Sequence, residues 1–130
     1  MAKSNSNYEQ SLINIIGAET EIEGQIKTKG DIRIDGKLKG TLFAEGRVVV
    51  GEEGKITGEI ECSNIEIYGK IYGKIVVKEL TMLKATSYIE ADIITKKLGV
   101  EPGAVFTGHC DMSGQNNINV SETKKDKAKL

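Results

Sequence analysis

The chain has no tryptophan, only two phenylalanines and four tyrosines, too few rings for a platform on which nucleic-acid bases could stack. It has no excess of either charge: 18 basic against 19 acidic side chains leave a net −1. The clustered basic face that would grip a phosphate backbone is therefore not expected. No apolar run approaches the ~20 residues of a membrane-spanning helix. The opening "MAKSNSNYEQ" is not a signal peptide, which predicts a cytoplasmic protein. The two cysteines, Cys62 and Cys110, make neither a metal-ligand pair nor a disulfide framework and are read as small apolar core residues. At 130 residues the chain suffices for one domain with one core.

What the chain does have is a repeat. The pattern aliphatic-x-Gly-x-aliphatic appears as "IEGQI" at 22–26, "LKGTL" at 38–42, "ITGEI" at 56–60 and "IYGKI" at 71–75. It returns as "IEADI" at 89–93 and more loosely as "FTGHC" at 106–110. Its centres at 24, 40, 58, 73, 91 and 108 are spaced by 16, 18, 15, 18 and 17 residues. A second register runs in step: Ile32/Ile34, Val48/Val50, Ile65/Ile67, Leu80/Met82 and Leu98/Val100. Each unit is too short for a helix pair and alternates with a period of two, as strands do. Short strands repeating near every 17 residues predict an all-β, single-domain parallel β-helix, one coil per repeat and about six coils. At ~4.8 Å per coil the rod is roughly 30 Å long.

The repeat defines columns of residues that stack from coil to coil. Ile22, Leu38, Ile56, Ile71 and Ile89 form a core stack that ends in Phe106; Ile26, Leu42, Ile60, Ile75, Ile93 and Cys110 form a second. The flanking positions are mixed and mostly polar, as solvent-facing columns are. Gly40 and its equivalents are expected to point inward where the coil is narrow. Ala91 shares the position, so smallness rather than a left-handed backbone is the expected requirement. Gly36 and Gly69, in short corners, are read as turn formers. Cys62 and Cys110 fall three coils apart, ~14 Å, beyond disulfide reach. Residues 1–12 and 113–130 are polar, the latter ending in Lys124, Lys125, Lys127 and Lys129. Both are expected to be disordered tails around a folded 13–112.

The run from "IIG" at 15–17 through "DIRIDGKLKGTL", "VVVGEEGKITGEIE" and "IYGKIYGKI" to "LGVEPGAVFTGHCDM" at 98–112 closely resembles the bactofilins, bacterial cytoskeletal proteins. The resemblance implies a right-handed β-helix, triangular in section, that polymerises end to end without nucleotide or any cofactor. It implies non-polar filaments that scaffold cell shape, wall synthesis and polar or motility structures. The implied partners are further copies of the chain, a second bactofilin and cell-envelope or wall-synthesis proteins. Many members reach the inner face of the cytoplasmic membrane through an apolar N-terminal motif; "MAKSNSNYEQ" departs from it beyond Met1.

Polymerisation is also expected on physical grounds. A β-helix has two open ends, each with unpaired backbone groups, and solenoids that stay monomeric carry polar caps. None is visible before "LINII" or after "FTGHCDM". Leu12, Ile13, Ile15 and Ile16 are the candidate N-terminal contact. Val105, Phe106, Cys110 and Met112 are the candidate C-terminal one, with Phe106 breaking an aliphatic column in the last coil. Like ends meeting like ends would give a chain without polarity. Tyr68 and Tyr72, four residues apart on an outward face, form a candidate partner surface. Two rivals are weighed. A left-handed hexapeptide-like acyltransferase needs a histidine base; His109 alone is present, on an outward column, and the spacings break a strict hexad. A non-polymerising solenoid that binds ice or another surface needs a flat ladder of identical residues, and the outward columns hold none. No catalytic, metal or cofactor residue is assigned.

Overall fold

The computed structural model describes residues 13–113, and every β-strand among them pairs in parallel with the strand one period away. One wall of the rod is built from β1 (Ile13–Ile16), β3 (Asp31–Ile34), β5 (Arg47–Val50), the second halves of β6 (Lys55–Ile67) and β7 (Lys70–Leu83), and β9 (Lys97–Val100). Two further walls are built from β2 (Glu21–Thr28), β4 (Lys37–Ala44), the first halves of β6 and β7, β8 (Tyr88–Ile94), β10 (Val105–Thr107) and β11 (Cys110–Asp111). Six coils result, each with three walls. No described residue is helical, and none of the structure is long and apolar enough as a helix to cross a membrane. The N-terminal tail 1–12, with Leu12, and all of the C-terminal tail beyond Ser113 lie outside the described residues.

Strand pairing sets Ile22 on Leu38, Leu38 on Ile56, Ile56 on Ile71 and Ile71 on Ile89. Leu38, Ile56, Ile71 and Ile89 are buried, whereas Ile22 at the first coil is half-buried. Each fully buried side chain of this size contributes about 1.5–3 kcal/mol of transfer free energy. The rod is thus filled by stacks of aliphatic residues that repeat once per coil.

The fifth coil corrects the expected second register. Its inward pair is Thr81 and Leu83, not Leu80 and Met82, because Ile65 pairs Thr81 and Ile67 pairs Leu83. The cause is corner length. Cys62 pairs Val77 while Asn64 pairs Leu80, so β7 carries one residue more than β6 across the corner. One added residue exchanges the two faces of a strand. The buried Thr81 hydroxyl donates to Thr95 Oγ1 at 2.9 Å, and Thr95 Oγ1 donates onward to the Lys97 carbonyl at 3.0 Å. A polar group in an aliphatic column would otherwise cost its desolvation.

The glycine expectations are also corrected. Gly24, Gly40, Gly58, Gly73 and Gly108 have φ between +133° and +143°, a backbone that side chains disfavour. They form the corner between two walls, so β2, β4, β6 and β7 bend there without losing pairing. A Cβ on Gly58 would point along the rod, not inward, and would run into the Gly40 carbonyl. Ala91 fits because its own φ is not positive. Gly36 and Gly69 have no positive φ either, so they are not turn formers in that sense. A Cβ on Gly36 would strike the Gly17 and Thr20 carbonyls, and one on Gly69 those of Gly51 and Gly54. Each short corner nests against the longer corner of the coil before it.

Gly58→Ala therefore destabilises the fold by roughly 2 kcal/mol or more, while Ala91→Gly costs about 1 kcal/mol or less; denaturant unfolding at one fixed protein concentration measures both. Burial, and secondarily Glu61, pushes the Cys62 thiol up to about 12. Cys62 is thus expected to resist alkylation at pH 8 until the chain is unfolded. Its contribution to stability is full below the ordinary value of 9.0 and is lost as pH rises toward about 12.

Candidate assembly site

At the N-terminal tip, β1 pairs only β3 and β2 pairs only β4, so one edge of each strand carries backbone groups with no described partner. Ile16 pairs Ile34 and enters the core columns, half-buried, beside Ile22 and Ile26. Ile13 and Ile15 pair Asp31 and Arg33, which face outward, so both isoleucines lie on the outer wall, 44% and 62% exposed. The inward place between them is taken by Asn14, which donates to Thr28 Oγ1 at 3.0 Å and to the Asp31 carbonyl at 3.3 Å. Of the candidate N-terminal residues, Ile16 therefore faces the open tip, Ile13 and Ile15 flank it, and Leu12 lies outside the described residues. Ile26 belongs to the tip as well, a role that column position alone could have assigned.

At the C-terminal tip, Phe106 pairs Ile89 and Cys110 pairs Ile93, continuing the two core columns to the surface. Met112 is 46% exposed. Leu98 and Val100 close the third wall over Thr81 and Leu83, and neither was among the candidates although their alternation pointed to it. Val105 pairs Tyr88 on an outward column, so it rims the tip without facing it. Burial, and secondarily Asp111, raises the Cys110 thiol. Glu101 holds the last corner in place: it accepts from Ala85 N at 3.0 Å and from Lys84 Nζ at 3.3 Å.

The exposed large hydrophobic residues among those described are Ile13, Ile15, Val100, Val105 and Met112. All five sit in the first or last coil. Apolar surface between the tips is confined to half-buried side chains on the walls.

The walls carry no comparable site. Tyr68 and Tyr72 are separated by the corner at Gly69 and have different neighbours. Lys84 Nζ lies 5.8 Å from the Tyr68 ring, whereas Tyr72 packs on Tyr88 at 6.2 Å and receives Lys55 Nζ at 5.5 Å. A surface depression of about 470 Å³ is lined by Ala18, Arg33, Asp35, Glu52, Glu53 and Tyr68. Its Arg33 and Asp35 are paired to each other at 2.9 Å. His109 Nδ1 stands 3.4 Å from Asp92 Oδ1, with both side chains about two-thirds exposed. Among the described residues no three His, Cys, Asp or Glu side chains are grouped to hold a metal ion.

Comparison with known proteins agrees with this geometry. The family model described as "Bactofilin: Polymer-forming cytoskeletal" matches residues 14–111. Bactofilin BacO of Myxococcus xanthus is 32% identical over 98 residues, covering 75% of this chain and 78% of that protein. Bactofilin BacP of the same organism is 24% identical over 98 residues, which span 75% of this chain but 41% of its own length. Among solved structures, the Thermus thermophilus bactofilin reconstructed by cryo-electron microscopy as double helical filaments superposes with a TM-score of 0.70. It is 28% identical, and the match covers 75% of this chain and 96% of that one. The six-coil parallel solenoid with bare apolar tips thus belongs to the bactofilin family of polymer-forming cytoskeletal proteins.

Proposed function

We propose that this chain assembles end to end, without nucleotide, into non-polar filaments that scaffold cell-envelope processes such as shape maintenance and wall synthesis. The observation that carries the reading is the location of the exposed large hydrophobic residues among those described, all of which lie in the two terminal coils. Coil-on-coil stacking between copies would cover them and offer the open strand edges a partner. Filaments solved for a relative that superposes over 75% of this chain add support.

In this reading the C-terminal tips meet through Phe106, Leu98, Val100, Cys110 and Met112, and the N-terminal tips through Ile16, Ile22 and Ile26. Ile13, Ile15 and Val105 rim the two contacts. Partners such as a second bactofilin or wall-synthesis proteins would dock on the walls, which stay exposed along a filament.

Phe106→Arg places a charge at the centre of the C-terminal contact, where burial would leave it unpaired. The expected product keeps the circular dichroism of a β rod but gives no long filaments by negative-stain electron microscopy, while the unmodified chain forms them with or without added nucleotide. Filaments of unchanged length from the Phe106→Arg protein would remove the C-terminal tip from the assembly.

A further inference from the structure

The first coil is built to fit itself. Read outward from Gly24, Glu23 stands opposite Gln25, Ile22 opposite Ile26, Glu21 opposite Lys27, Thr20 opposite Thr28 and Glu19 opposite Lys29. Hydrophobicity is mirrored about the glycine, and charge is mirrored with its sign reversed at Glu21/Lys27 and Glu19/Lys29, while Glu23 stands opposite the neutral Gln25. The structure gives this mirror a geometry. Gly24 is the corner between two walls, with φ +133°. Ile22 and Ile26 are half-buried on either side of it, while Glu21, Glu23, Gln25 and Lys27 are exposed. A Cβ on Gly24 would meet nothing within 4 Å, whereas at Gly40, Gly58, Gly73 and Gly108 it would strike the coil before. At Gly24 that space is open to a partner.

We propose that the N-terminal tip binds a second copy of itself about a two-fold axis through Gly24, so that Glu19 and Glu21 of each copy face Lys29 and Lys27 of the other. Such an axis lays the wall before the corner on the partner's wall after it. Residue 24−n then faces residue 24+n, apolar against apolar within and acid against base outside. Symmetry doubles each contact, so two opposite-charge pairs become four. The axis leaves the rod through the opposite wall, where it brings the exposed Ile13 and Ile15 beside their counterparts in β1. The inference rests on the end-to-end reading, in which like tips meet, and adds the register of the N-terminal contact and the charge pairs that fix it.

Competing arrangements fit less well. Head-to-tail docking would set Glu21 under Val105, Glu23 under Thr107, Gln25 under His109 and Lys27 under Asp111, one opposite-charge pair instead of four. Read about Gly108, the last coil sets Val105 opposite Asp111 and Thr107 opposite His109, so charge supplies no equivalent lock there. Within the chain, Glu21 has only a loose contact with Lys37 Nζ at 3.8 Å, with side chains 73% and 61% exposed, and Lys27 Nζ lies 6.0 Å from the Phe43 ring. Pairs exposed to this degree are worth little internally and leave both charges available to a partner. Complementary charge of this kind selects which surfaces meet and in what register.

Two charge-reversed proteins test the proposal: Glu19→Lys with Glu21→Lys, and Lys27→Glu with Lys29→Glu. All four positions are exposed, so both proteins are expected to keep the β circular dichroism of the parent. Each alone presents only like charges to its own copy and is expected to stop at dimers, with at least a tenfold loss of sedimentable filament at low salt. Mixed in equal amounts, the two become complementary and filaments return. The parent's filaments should also shorten as ionic strength approaches ~1 M, where the screening length falls to ~3 Å. Unimpaired filaments from either variant alone, or a mixture that stays dimeric, would overturn the self-complementary tip while leaving end-to-end assembly intact. Absence of filaments from the parent protein in the same buffer would overturn both.

Discussion

Each coil hydrogen-bonds only to the coils directly before and after it, at a fixed rise, so the surroundings of a residue are decided about one period away in the sequence. This axial stacking constrains everything else in the molecule. It demands aliphatic residues in the inward columns, because each side chain rests on its equivalent in the neighbouring coil. It demands bare glycine at the tight corners of Gly40, Gly58, Gly73 and Gly108, where a methyl group would meet the carbonyl of the preceding coil. It also demands that corners nest, which is why Gly36 and Gly69 follow longer turns whose carbonyls leave them no room.

Where the constraint is broken, the chain compensates locally. One additional residue in the corner of β7 turns a strand over and carries Thr81 into an aliphatic column. The threonine is tolerated because Thr95 lies in reach of its hydroxyl and passes the hydrogen bond on to a backbone carbonyl. A hydroxyl pair costs less than a cavity or a lone polar group, and it pins the one register in which both partners are satisfied.

The same stacking explains why the proposed contacts between copies lie at the tips. An interior coil has both edges paired and its core side chains covered; a terminal coil has one edge and one layer of core left open. The chain places the most exposed of its described aliphatic residues at these ends. For a protein of a polymer-forming family this is the natural place for contact between copies. The walls, by contrast, mix acids, lysines and tyrosines, several of which meet partners in the adjacent coil.

Much of this was legible in the amino-acid order. A period near 17 residues with two-residue alternation is enough to specify a solenoid, because no other arrangement buries Ile22, Leu38, Ile56, Ile71 and Ile89 together. The tips were legible too, as the places where the repeat starts and stops. Three things were decided only by the tertiary structure. The direction of a glycine's missing side chain depends on φ, which composition does not reveal, so the corner glycines looked inward-facing when their constraint runs along the rod. The facing of Leu80 and Met82 depended on the length of the corner before them, since alternation says which residues share a face but not which face is buried. The positions of Ile13, Ile15 and Val105 on the rim of the tips followed from strand register against β3 and β8. In each case a local pattern is compatible with two arrangements, and contact with the neighbouring coil selects one.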